Sequence, residues 1–241
     1  MDMTEKEDYS QESIAKKYGI DIAKLITEQN KLAKLVSLKD CMDFSITERI
    51  AGCSNAFEGN KIISAMIICN RNFEVIEQNY HIEKINFPYI SGFRAYREIP
   101  SMVECFRKLE ETPDVTFIEG QGIAHPRKIG IASHFGIAIE GATIGITQNI
   151  LEGEIKEEKI MIEGKQVGNS LVSKKGSRPI YISPGNMISL KTSLEITKKF
   201  LKEPHKLPEP IVLARKYADK LREEYKSTAM IKKENNSDIL D

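Results

Sequence analysis

Four cysteines, Cys41, Cys53, Cys69 and Cys105, form no CxxC pair, and no histidine stands at zinc spacing from them. Their scatter predicts reduced, mostly buried thiols in a cytoplasmic protein and excludes the usual zinc patterns. No apolar run reaches about 18 residues, so no membrane span is expected. The amino-terminal MDMTEKEDYSQES is acidic and polar, which is not a secretory signal. Charge of one sign is missing too: 35 Lys and Arg balance 35 Asp and Glu, with a pI near 6.9. The chain as a whole therefore has no electrostatic footprint for nucleic acid, and any such partner must be held by a local patch. No internal repeat is visible.

What is present fits a globular domain. The 241 residues are 41% hydrophobic and 29% charged, enough to bury a sizeable core. Residues 13–226 read as one domain, with a loose start over 1–12 and a loose tail over 227–241.

The chain turns on residues 114–146. An apolar run, Val115 to Ile118, stops at Glu119; Gly120 and Gly122 follow, then His125, Pro126, Arg127 and Lys128. An amphipathic segment from about Ile129 to Ile139 precedes a second apolar run, Ala142 to Ile146. This is the pattern of strand, glycine turn, helix and strand, a βαβ unit. Ligands of open α/β sheets bind at the carboxyl ends of strands, where Glu119 sits. A GxG pair is a weak signal, and a solvated strand-end acid beside an ordinary turn fits the spacing equally well.

Ile14 to Leu38 carries apolar residues at near-helical spacing, with a break near Gly19. Ile50–Phe57, Lys61–Cys69 and Phe73–Ile85, separated by EGN and NRN turns, predict a three-stranded antiparallel meander. FPYISG at 87–92 is a loop with Tyr89 at its tip, either packed on the sheet edge or free to stack on a base. Glu98 is expected just before a helix whose first turn holds Pro100. It is there either as a dipole partner or as a metal ligand facing the 115–118 strand end. Residues 152–168 are charged and glycine-punctuated, and Lys174, Lys175 and Arg178 form a basic patch. A strand over Pro179 to Ser183, a turn at Ser183–Asn186, a helix capped by Ser189 and a last basic helix over Ile211 to Tyr225 complete the chain. Three antiparallel strands followed by βαβ predict an α/β fold of the ribonuclease H-like kind: a mixed sheet, the meander plus the parallel unit, with helices on both faces.

FPYISG with FRAYRE, EGQGIAHPRKIGIASHFG, ATIG, PIYISPG and KLPEP occur in this order between about Ile50 and Ala218. In this the sequence resembles the endonuclease V family, nucleases that cut nucleic acid near deaminated bases such as hypoxanthine. The resemblance implies a metal-dependent phosphodiesterase in DNA repair that uses Mg²⁺, with Glu98 and Glu119 as metal-binding and catalytic acids. It implies Tyr89 and Gly92 as the wedge that fills the space left by a flipped base, Gly120 and Gly122 as backbone walls of the base pocket, and Arg127 and Lys128 on phosphate. The partner would be inosine-containing DNA or RNA, with no membrane and no small-molecule cofactor.

The departures from the family pattern fall on its chemistry. Ser54 stands where the family has a first-strand aspartate, Glu119 where it has another aspartate, Gln148 where it has a lysine and Asn186 where it has a histidine. Mg²⁺ requires hard oxygen ligands in near-octahedral geometry, and two acids in place of three weaken it by several kcal/mol at an effective dielectric of about 20. Gln148 and Asn186 offer neither charge nor a titrating group to the transition state. The expectation is a protein that recognises inosine while cleavage is lost or strongly impaired. The alternatives are an active Mg²⁺- or Mn²⁺-dependent nuclease that cuts 3′ to deoxyinosine, and a scaffold with no nucleic-acid role.

Overall fold

The computed structural model describes residues 10–237, with side chains through 228. The sheet has nine strands in the order β3-β2-β1-β4-β5-β9-β8-β7-β6. β1 (Ile50–Glu58), β2 (Lys61–Cys69) and β3 (Val75–Lys84) form the antiparallel meander. β4 (Val115–Glu119) lies parallel to β1, and β5 (Thr143–Thr147) parallel to β4. Beyond them β6 (Glu154–Lys156), β7 (Lys159–Ile162), β8 (Lys165–Leu171) and β9 (Ile180–Asn186) pair antiparallel out to the far edge.

β2 is buried along nearly its whole length because helices cover both faces of the sheet, hence its near-continuous apolar run. On one face lie α5 (Leu190–Lys199) and α6 (Glu209–Ser237), over Ile50, Ile67, Phe117, Ile144 and Ile182. On the other lie α3 (Arg94–Phe106) and α4 (Ile131–Ala138), over Cys53, Met66 and Ile118. Two amino-terminal helices, α1 (Gln11–Lys17) and α2 (Ile22–Leu32), are separated at Gly19 and pack Ile14, Ile20, Leu25 and Ile26 against Ile90 and Phe93. All four cysteines are free, three of them buried.

Several boundaries differ from the sequence pattern. α3 begins at Arg94, so Glu98 lies inside the helix and Pro100 well beyond its first turn. The helix starts early because Gly92 adopts φ +77° and turns the chain directly into it. Pro100 has no N–H to donate to the preceding turn, a cost set against the burial of Glu98, Ile99, Met102 and Cys105 around it. Ser183–Asn186 continues β9 rather than turning, and the pairing with β5 slips one residue between Thr143 and Ile144, beside Pro184. At the amino terminus, α1 is capped by Ser10; residues 1–9 of the expected loose start lie outside the described residues. At the other end, helix continues past Ser227 to Ser237, through a stretch without proline or glycine; 238–241 lie outside the described residues. Among the described residues no helix is long and apolar enough to cross a membrane.

Candidate functional site

Glu119 ends β4, and Ile146 pairs with it on β5, so the carboxyl ends of the parallel strands meet here. Cys53 of β1 pairs with Ile118, which sets Ser54 level with Glu119 on the face covered by α6. Ala65, directly opposite Ser54, packs with Ala218 of that helix. Asn55 points to the other face, where its Nδ2 donates to Glu98 Oε2 at 2.7 Å. Asn55, rather than Ser54, is thus the β1 residue that meets Glu98.

Both acids are already engaged by arginine. Arg94 donates to the two oxygens of Glu98 at 2.6 and 2.9 Å, and through Nη1 to the Glu119 carbonyl at 2.9 Å. Burial alone would lower the Arg94 pKa; the Glu98 carboxylate and the charge of Glu119 outweigh it and hold the guanidinium above its ordinary value. On the α6 face, Arg215 Nη2 donates to Glu119 Oε1 at 2.5 Å. Glu98 is buried to 2% exposure and accepts three hydrogen bonds, one from Asn55 and two from Arg94.

This donor set does not fit Mg²⁺. The ion needs several hard oxygens in octahedral array. Here both oxygens of Glu98 accept from Arg94, Glu119 faces a guanidinium, and Asn55 Oδ1, a buried acceptor without a protein partner, is neutral. No group of three His, Cys, Asp or Glu side chains suited to a metal ion occurs among the described residues.

Beside this site lies a cavity of about 230 Å³, bordered by Tyr89, Gly92, Arg94, Gln121, His125 and Asn149, among others. Tyr89 stands 60% exposed at its rim. Three side chains converge on the Gly92 carbonyl: Gln29 Nε2 at 3.0 Å, Arg127 Nη2 at 2.9 Å and His125 Nε2 at 3.2 Å. The Arg127 amide donates to His125 Nδ1, so the imidazole is neutral and carries its proton on Nε2. Burial, then the Arg127 charge, lowers the pKa of His125 to about 4.

Other residues singled out in the sequence fall elsewhere. Gly122 does not border the cavity: its amide donates to Ser183 Oγ, and a Cβ there would lie 2.0 Å from the Pro184 carbonyl oxygen. Gly120 is likewise packed, beneath Ile131. Arg127 is engaged within the protein: it bonds Gln29 and Gly92 and stacks 4.5 Å over Phe93. Lys128 is half-buried, its Nζ 3.5 Å from Glu163. Asn186 is at the opposite end of the sheet, paired with Thr143, three residues or about 10 Å along β5 from Ile146. It holds Gly136 O at 3.1 Å and accepts from the Ser37 amide, a cross-brace far from the acids. Gln148 is at the correct end and exposed, and Lys206 Nζ donates to its Oε1 at 3.1 Å. A lysine from the KLPEP segment thus brings an ammonium beside Gln148. Asn55, Arg94, Lys206 and Arg215 were not foreseen as site residues. Arg94 stands four residues before Glu98, a spacing that signals a pair only once the helix is seen to begin at Arg94.

The sheet order, the helices on both faces, and an acid at a parallel strand end with another on the neighbouring helix define a protein of the ribonuclease H-like architecture. The endonuclease V family model matches residues 30–216. An endonuclease V of Thermosipho melanesiensis is 40% identical over 215 residues, 84% of this chain and 94% of that one. The crystal structure of Bacillus subtilis endonuclease V superimposes with a TM-score of 0.80 at 28% identity, covering 88% of this chain and 96% of its own. Ciona intestinalis endonuclease V, solved with a 24mer DNA containing an inosine followed by a ribo-adenosine, shares the fold at TM-score 0.78 and 23% identity, covering 85% and 98%. The chain belongs to the endonuclease V family.

Proposed function

We propose that this protein binds nucleic acid containing a deaminated base such as inosine, and that its phosphodiester cleavage is lost or strongly impaired. The carrying observation is that the helix acid Glu98 and the strand-end acid Glu119 are each held by an arginine beside a cavity rimmed by Tyr89 and Gly92. An exposed aromatic on a braced loop is suited to fill the space of an extruded base, and extrusion costs only a few kcal/mol, least at a mispaired base. The related Ciona intestinalis protein was crystallised on inosine-containing DNA, which supports the same partner here. Phosphate contacts would come from Lys128, Lys206 and the exposed Lys174, Lys175 and Arg178, in the loop that enters β9 at the same end of the sheet.

The 40% identity to a protein named endonuclease V favours the second reading, an active nuclease with an altered site. One assay separates the two: an inosine oligonucleotide, single- and double-stranded, is followed for mobility shift and for nicking in Mg²⁺ and in Mn²⁺. Selective shift without nicking is the expected result. Brisk Mn²⁺-dependent scission establishes the active enzyme, and absence of any salt-dependent binding establishes the scaffold.

A further inference from the structure

We propose that Arg215 stands in for a divalent cation: its guanidinium holds Glu119 on one side and offers its remaining N–H groups to a phosphodiester on the other, so that nucleic acid is bound without metal. The inference rests on the nucleic-acid reading above and adds to it the chemistry of phosphate capture.

The placement follows from how α6 meets the sheet. A Cβ on Gly52 would lie 2.0 Å from the Pro210 carbonyl oxygen, so the start of the helix touches β1 backbone to backbone. Further on, Ala218 packs with Ala56. Helix and strand therefore run in the same direction, at about 1.5 Å per helical residue and about 3.3 Å per strand residue. That brings Arg215 over the row of Ser54 and Glu119.

At that point the arginine is oriented but not used up. Its side chain is 41% exposed and that of Glu119 33%, so the pair sits at the surface of the site. Among the described residues Glu119 is the sole hydrogen-bond partner of Arg215, through Nη2, which leaves Nε and Nη1 to donate outward. A guanidinium is a planar fork of five donors that matches two phosphate oxygens, and it is always charged. A divalent ion at a carboxylate does the corresponding work, linking protein anion to phosphate anion. Arginine does it with a fixed single charge and no coordination shell to complete. The neutral Ser54 beside Glu119 is consistent with this exchange, since a second carboxylate would be needed for the ion and not for the arginine.

The test uses the full chain and an inosine oligonucleotide, followed by fluorescence anisotropy in EDTA and in Mg²⁺. Wild-type affinity should be the same in both. Arg215→Ala should weaken binding at least tenfold in EDTA and lower the salt slope by about one. Arg215→Lys should recover only part of the loss, because it returns the charge without the fork. Manganese binding, read by electron paramagnetic resonance without nucleic acid, should be absent in the wild type and appear in Ser54→Asp with Arg215→Ala. Wild-type binding that requires Mg²⁺, an Arg215→Ala protein that binds like wild type in EDTA, or a wild-type manganese site abolished by Glu119→Gln would each overturn this inference while leaving the base-recognition reading in place. No inosine-selective binding under either condition would overturn both.

Discussion

Arg94 and Glu98 form a two-pronged pair one helical turn apart, Nε to Oε1 at 2.6 Å and Nη2 to Oε2 at 2.9 Å, with the carboxylate buried. The third prong of the same guanidinium reaches the Glu119 carbonyl, so one side chain ties α3 to the end of β4. Arg94→Ala would leave a buried carboxylate with only Asn55 to answer it. Removing one partner of such a pair costs about 2 to 3 kcal/mol here, less than for a wholly enclosed pair because the Arg94 side chain is one-third exposed. Urea unfolding should show that loss, and Glu98→Gln in the Arg94→Ala background should return part of it. An Arg94→Ala protein as stable as wild type would mean the pair is held apart by solvent.

Gly52 is a second point where the fold admits no alternative. Its missing side chain lets the Pro210 carbonyl sit against β1, with the carbonyl carbon 2.3 Å from where a Cβ would be. Gly52→Ala must displace the start of α6, which also carries Ile211, Ala214 and Ala218 into the core. Overpacking against backbone should cost about 3 kcal/mol or more. Soluble yield and the midpoint of thermal unfolding would report it; wild-type values for both would show that α6 can shift freely.

How far such relationships are legible in the residue string depends on which side of a strand they need. The bounds of β2 are, because a mostly apolar run of nine residues between two turns has the length of a buried strand rather than of a helix. The helix break at Gly19 is, since its φ of +66° suits glycine. Aligning Ser54 with a metal-binding aspartate identifies a position in a motif but not what occupies that space. Strand parity sends Asn55 to Glu98, and a residue from the last helix, Arg215, arrives at Glu119 from more than ninety positions away. Asn186 shows the same limit from the other side. A motif assigns it to the site, yet the antiparallel pairing of β9 with β5 carries it to the far end of the sheet.

Acid should loosen the molecule before it affects surface charges. His125 and His134 both have pKa values lowered to about 4, principally by burial, with the Arg127 charge adding to the effect at His125. The unfolded chain takes up these protons near the ordinary value of 6.5, and the folded one only near 4. Stability from the two is therefore complete above that ordinary value and falls as pH drops through this window. The slope reaches about 1.4 kcal/mol per pH unit for each histidine. Urea midpoints measured between about pH 7.5 and about pH 5 should decline, and His134→Phe should flatten part of the decline, since its Nδ1 has no protein partner to lose. A flat profile in the wild type would show that water reaches both rings.

Gly92 joins loop conformation to recognition. Its φ of +77° is costly for any residue with a Cβ, and an added methyl would come within 2.9 Å of Arg127 Nη2. That nitrogen is one of the donors on the Gly92 carbonyl, so Gly92→Ala would loosen the brace from Arg127 while straining the backbone, about 1 to 2 kcal/mol together. Gln29→Ala removes another donor to the same carbonyl without touching the backbone angle. If the braced loop is what presents Tyr89, both variants should bind inosine oligonucleotide several-fold more weakly than wild type, whereas Tyr89→Ala should lose selectivity for inosine over the undamaged base. Anisotropy titrations of the three variants on matched inosine and adenosine oligonucleotides measure this directly. Equal selectivity in Tyr89→Ala would place the wedge elsewhere, and unchanged affinity in Gln29→Ala would show that the loop holds its shape without α2.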